Sequence, residues 1–184
     1  MRAADMKANL RAVWAAAGGD PGIPGGIKPV AHVDAERYKG TWYEIARLDH
    51  PFERRLSEVT ASYYPRADGG LDVVNRGYDV VKRMWKEARG VAYPVNQPAD
   101  GRFKVTFFWR FYAGYNIILL DPEYDHVVIV GPNRHFLWVL ARTPWISDSV
   151  FKDITHWLSS QGFPASDLNR VHHERSYPTH TGTR

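Results

Sequence analysis

The side chains of this sequence that could do chemistry are few and scattered. Histidines stand at His32, His50, His126, His135, His156, His172, His173 and His180, and cysteine is absent. A chain without Cys has no disulfide, thiolate metal centre, Cys nucleophile or Cys-linked lipid anchor. Only His172 and His173 are adjacent. Neighbours on a strand point to opposite faces, which is poor chelation geometry, so no metal site is expected. No G-x-S-x-G and no Ser/His/Asp set with a local signature occurs, so no catalytic residue, no enzyme activity and no cofactor is expected. One carboxylate stands out. Glu44 shares the strand parity of Trp42 and should point inward. A buried carboxylate is costly unless paired. Glu44 therefore either orients a ligand or works as an acid/base group, or it pairs with a nearby basic or phenolic side chain.

Aromatics are the other unusual feature, with 7 Trp, 10 Tyr and 8 Phe. Flat side chains in that number suit an all-β core or an aromatic-lined pocket. The net charge of +4 is only mildly basic. Aromatic and basic residues mix at Lys82-Arg83-Met84-Trp85-Lys86 and at Trp109-Arg110-Phe111, a pattern that can stack bases. Strand alternation already accounts for it, so no nucleic-acid partner is expected. No stretch approaches the apolar length of a membrane-spanning helix.

These residues need elements to position them. Short strands are expected at Trp42–Leu48, Val59–Tyr64, Leu71–Tyr78, Met84–Tyr93, Phe103–Trp109, Tyr115–Leu120, Val127–Val130 and Phe136–Arg142, separated by Gly-, Pro- and Asp-rich turns. Eight such strands can close into an up-and-down antiparallel barrel with room for one small ligand. Ser147 can cap a helix whose apolar face is Val150, Phe151, Ile154, Trp157 and Leu158, with Gly162 as its stop. That amphipathic helix should pack on the outside of the barrel. A last short strand is expected near Arg170–His173. Residues 1–33 read as a flexible tail or linker, 34–175 as the barrel domain and 176–184 as a disordered tail. The apolar run Ala12–Ala17 is short for a secretion signal.

At this point the motifs resemble a family. Gly40-Thr41-Trp42-Tyr43-Glu44-Ile45-Ala46-Arg47 is similar to the G-x-W opening of the lipocalin barrel, and Arg142 in Leu140-Ala141-Arg142-Thr143-Pro144 matches its conserved arginine. With Phe52-Glu53-Arg54, Gly131-Pro132 and Trp138-Val139-Leu140-Ala141, they resemble the bacterial outer-membrane lipocalins and the apolipoprotein D branch, over about Asp34 to His173. The sequence departs from the pattern at Leu120-Asp121-Pro122, in lacking the paired cysteines of animal members, and in lacking the N-terminal Cys of anchored bacterial members.

The resemblance implies an all-β, eight-stranded barrel that binds, stores or transports a small hydrophobic ligand, a fatty acid or lysophospholipid, in cell-envelope lipid maintenance. A lipocalin-fold enzyme acting on a lipid or other small apolar substrate is the alternative. Gly40, Trp42 and Arg142 would be structural, with the guanidinium lying across the indole. By parity and motif alignment the ligand would meet Glu44, Ala46, Tyr63, Asn75, Phe107, Tyr112 and Trp138, with Tyr112 guarding the entrance from the Arg110–Gly114 hairpin. Arg54, Arg55, Arg110 or Lys82 would meet an anionic head group. Transient membrane contact through Trp109-Arg110-Phe111-Tyr112 and a homodimer are both compatible with this reading. Family resemblance places the chain in the envelope or periplasm, soluble and without an anchor because it has no Cys; it is cytoplasmic if residues 1–33 are not a signal.

Overall fold

A computed structural model describes residues 22–50, 53–108 and 111–174. Eight antiparallel strands run β1 Gly40–Arg47, β2 Leu56–Pro65, β3 Leu71–Asp79, β4 Met84–Pro94, β5 Arg102–Phe108, β6 Phe111–Leu120, β7 His126–Val130 and β8 Leu137–Ala141. Each pairs with its sequence neighbour, and β1 pairs with both β2 and β8, so the sheet closes on itself and has no free edge. The loops between β1 and β2, β3 and β4, β5 and β6, and β7 and β8 share one end. The remaining connections share the other.

Alternation along the strands builds two apolar layers. Trp42, Tyr63, Val73, Val105, Ile117, Ile129 and Leu140 fill the inside. Ile45, Ala46, Val128, Val130, Leu137, Val139 and Ala141 form an outer layer. Helix α2, Asp148–Ser160, covers that outer layer with Ile154 and Leu158; the four-residue α1 is Ala35–Tyr38. Burying each of those two side chains contributes roughly 1.5–3 kcal/mol. Ser147 caps α2 by accepting the Val150 N–H at 3.3 Å. Gly162 ends it at φ +77, in the left-handed region where Gly carries no Cβ penalty.

The closed end is floored by Trp42. The Arg142 guanidinium lies 3.9 Å from its ring centroid. Arg142 also donates to three backbone oxygens, from Nε to Tyr124 (3.2 Å), Nη1 to Thr41 (3.2 Å) and Nη2 to Arg37 (2.6 Å). Gly40, at φ +94, passes close beneath it, and a Cβ there would sit 3.5 Å from Arg142 Nη1. Helix α1, capped by Asp34 accepting the Glu36 and Arg37 N–H groups, presses Tyr38 onto this floor with ring centroids 5.1 Å apart from Trp42.

Two expectations change. Residues 22–33, which read as part of a tail or linker, form a strap on the barrel, with Ile27 and Val33 buried. Val30 N–H donates to Ile117 O at 2.9 Å, and Gly101 N–H donates to Val30 O at 2.8 Å. Isolated Ile and Val residues in a Pro/Gly-rich stretch have no periodicity, so the sequence pattern does not reveal that packing. The tails at 1–21 and 175–184 lie outside the described residues. The last strand, β9, is only Asn169–Arg170. It and the residues after it fill a seam where β2 diverges from β1 beyond Tyr43. Val171 N–H donates to Ile45 O (2.9 Å), His173 Nε2 to Glu44 O (2.8 Å) and Glu58 N–H to His172 O (2.9 Å).

Candidate functional site

The barrel holds a cavity that, together with the solvent at its open mouth, amounts to about 1220 Å³ of space free of atoms. The space exists because small residues face inward at mid-height. Ala61, Asn75 and Ala88 lie in one row across β2, β3 and β4, and Ala113 and Gly77 add to the clearance. Around them Val59, Val73, Val105, Phe107, Ile129, Phe136, Trp138 and Leu140 supply hydrocarbon and aromatic walls. Phe107 reaches its position because Gly90 opposes it; a Cβ on Gly90 would sit 2.8 Å from the Phe107 ring and 2.4 Å from Thr106 O.

The deep end is closed by phenols. Tyr115 OH bonds to Tyr38 OH at 2.6 Å and to Tyr63 OH at 2.8 Å. Burial pushes all three hydroxyls up from the ordinary tyrosine range, so they remain protonated donors. Asn75 Oδ1 is buried and has no hydrogen-bond partner among the described residues. In a wall of alanine it is a polar handle for an incoming group.

A second polar group lies toward the mouth. Glu44 Oε1 accepts from Arg47 Nη1 at 2.6 Å, with both side chains buried. Arg47 Nη2 also donates to the backbone oxygens of Glu53 (2.6 Å) and Leu56 (2.9 Å). Glu53 Oε2 accepts from Trp138 Nε1 at 2.9 Å and lies 3.2 Å from His50 Nε2. Desolvation, with Glu53 adding to it and Arg47 opposing, pushes the Glu44 carboxyl up to about 8. Burial likewise pulls the His50 pKa down, which keeps the ring neutral. The cluster thus holds two carboxyls and one guanidinium beside hydrocarbon, and each guanidinium N–H donor named above is already engaged.

Of the residues expected at a ligand, Glu44, Tyr63, Asn75, Phe107 and Trp138 line this one cavity. Ala46 does not. A β-bulge between Glu44 and Ala46 shifts the register against β8, so Ala46 opposes the outward Val139 and packs under α2. The same bulge turns Arg47 inward, opposite Trp138. Tyr112 does not line the cavity either. It lies in β6, on the strand face opposite Ala113 and Tyr115, with Lys104 Nζ 5.3 Å from its ring centroid. Arg54 is exposed and paired with Asp49 at 2.7 Å, Arg55 is exposed, and Arg110, like Trp109 and Phe52, lies outside the described residues. Arg47, Glu53, Tyr115, Ala61, Ala88 and Ala113 are site residues that the sequence reading did not single out. Period-two alternation in β2, β4 and β6 would have found Ala61, Ala88, Ala113 and Tyr115; the bulge hides Arg47. Among the described residues no cluster of three or more His, Asp or Glu could hold a metal ion.

Comparison with known proteins agrees with this architecture. A lipocalin-like domain family matches residues 33–173. The outer membrane lipoprotein Blc of Escherichia coli (strain K12) is 49% identical over 146 residues, covering 79% of this chain and 82% of the relative. The protein of the same name from Vibrio cholerae is 46% identical over 151 residues, covering 82% and 86%. Bovine apolipoprotein D is more distant, 26% identical over 121 residues, covering 61% and 62%. Among solved structures, the cockroach allergen Per a 4 superposes with a TM-score of 0.66 at 17% identity, covering 83% of this chain and 96% of that one. Insecticyanin from the tobacco hornworm matches at 0.66 and 15%, covering 84% and 88%. At those identities the two structures share the fold.

Proposed function

This chain belongs to the lipocalin family, and we propose that its barrel binds and carries a small hydrophobic ligand of the fatty acid or lysophospholipid class. The observation that carries the reading is the cavity itself: an open-mouthed, mainly hydrocarbon-walled space of about 1220 Å³, the solvent at its mouth included. Each buried methylene contributes about 0.8 kcal/mol, so ten of them provide roughly 8 kcal/mol before association costs. About 8 kcal/mol is equivalent to a dissociation constant of about 1 μM, so ten methylenes set a ceiling near micromolar affinity that a longer chain raises. The ligand is held by burial and is released unchanged, without catalysis. The cell envelope is the compartment that suits such a carrier, and relatives at 46% and 49% identity are named outer membrane lipoproteins.

Titration of delipidated protein with a long-chain fatty acid and with a lysophospholipid, below their micellar concentrations, tests the reading. Trp138 lies in the cavity wall, so ligand entry should change tryptophan emission saturably at one equivalent. Ala88→Phe, which puts a ring into the widest part of the cavity, should abolish the change without altering the circular dichroism. Absence of a saturable change with either lipid, or equal binding by Ala88→Phe, would refute carriage inside the barrel.

A further inference from the structure

We propose that the β3–β4 hairpin, Val80 to Met84, is a docking tip that seats the open mouth of the barrel on an anionic bilayer surface. The proposal rests on the lipid-ligand reading above, because it supplies the route by which a lipid reaches the cavity.

Three observations converge on this hairpin. Its side chains are unusually apolar for an exposed turn: Val80, Val81 and Met84 are 50%, 65% and 47% exposed. Lys82 and Arg83 stand between them, and neither side chain forms an ion pair among the described residues. Three successive backbone N–H groups of the turn are satisfied from within the protein. Val80 N–H donates to Arg55 O at 3.0 Å, and the Val81 and Lys82 N–H groups donate to Asp79 Oδ1 at 3.1 and 2.9 Å. Asp79 is fully buried, and its other oxygen is held by Lys86 Nζ at 2.5 Å.

That internal satisfaction is what a turn needs at the head-group and acyl boundary. There water is scarce, and an unpaired N–H would oppose insertion. Valine and methionine can enter the boundary while the two long cationic side chains extend back to the phosphates. The same two strands carry Gly77 and Lys86 into the cavity wall, so a docked tip places the mouth at the membrane. Charge decides the partner. A two-fold contact between copies of this hairpin would bring four unpaired cations together, whereas anionic lipid neutralises them.

The test uses the full chain and vesicles of phosphatidylethanolamine with phosphatidylglycerol, compared with vesicles of phosphatidylcholine alone. Co-sedimentation should favour the anionic vesicles and weaken with salt. Lys82→Ser/Arg83→Ser should lower affinity about fivefold per cation removed. Val80→Ser/Val81→Ser should lower it about tenfold or more. Val80, Val81 and Arg83 are exposed and Lys82 is half-buried without an ion pair among the described residues, so both variants should keep the melting temperature and the one-to-one titration with monomeric lipid. Because the sequence has no cysteine, Val81→Cys accepts a single environment-sensitive dye. Its emission should shift to the blue on anionic vesicles. The same dye at Trp145→Cys, exposed at the opposite end of the barrel, should not shift. Vesicle binding unchanged in both double variants overturns the proposal, as does a dye at position 81 that stays in water. Loss of dimers in the valine variant with vesicle binding unchanged would make the tip a contact between copies. Loss of the monomeric-lipid titration in the wild-type chain would overturn the carrier reading instead.

Discussion

Replacing Glu44 by glutamine should flatten part of the stability of this protein against pH. The carboxyl sits at about 8 in the folded barrel and near the ordinary 4.5 in the unfolded chain, because burial and Glu53 outweigh the Arg47 contact at 2.6 Å. Between those values the folded state holds a proton that the unfolded state has released, so stability falls as pH rises through that window. The limiting slope for one such group is about 1.4 kcal/mol per pH unit. Between about pH 5.5 and 7.5 the wild-type chain should therefore lose about 2.5 kcal/mol that Glu44→Gln does not lose, or roughly 5–10 °C in melting temperature. Glutamine keeps an oxygen for Arg47 and removes only the ionisation. His50, whose pKa is lowered, contributes in the opposite sense: stability rises as pH rises through the ordinary histidine range. Both chains carry that contribution, so the difference between their curves isolates Glu44. Thermal melts of the two proteins in matched buffers give the curve. A flat difference would refute the reasoning. So would a Glu44→Gln variant destabilised by about 3–5 kcal/mol near pH 6, which is what losing one partner of an ionised buried pair costs.

Arg142→Met should cost about 3 kcal/mol, the sum of one cation–π contact and three backbone hydrogen bonds, read by urea unfolding, while Arg142→Lys should recover only a part because a single ammonium cannot reach three carbonyls. Leu158→Ala should cost about 2–5 kcal/mol by opening a cavity between α2 and the barrel, with lipid titration intact because the interior is untouched. Gly101→Ala should destabilise the chain and expose the strap to protease, since its Cβ would lie 2.3 Å from Ile117 O and 2.9 Å from Val30 N; an unchanged melting temperature would show that the strap gives way freely.

Much of the fold is legible in local pattern. Period-two alternation marks the strands, Ser147 and Gly162 bracket α2, and the spacing of Gly40, Trp42 and Arg142 anticipates a floor in which the guanidinium lies 3.9 Å from the indole centroid. What escapes is whatever depends on a break in periodicity or on distant chain. One inserted residue in β1 sends Ala46 outward and Arg47 inward, and nothing in Glu44-Ile45-Ala46-Arg47 announces it. Tyr112 has the right composition for a gatekeeper but the wrong face. Tyr38 and Tyr115 are ordinary helix and strand aromatics until the fold brings their hydroxyls to 2.6 Å. The strap at 22–33 holds on through backbone bonds to Ile117 and Gly101, partners that no local reading can supply.

The seam between β1 and β2 has a consequence for how the protein is born. Glu44 and His173, which meet across it, are 129 positions apart. A ribosome adding about 5–20 residues per second needs roughly 6–26 s to make that span. Throughout that interval the nascent chain can pair its early strands but cannot staple this seam, and its apolar lining stays open to passing chaperones and to other nascent chains. Stapling of the seam is therefore among the last steps of synthesis and folding. A truncation ending just before Asn169 should keep the barrel closure that rests on the β1–β2 and β1–β8 pairings but leave the Glu44 and Ile45 carbonyls of the seam without their partners.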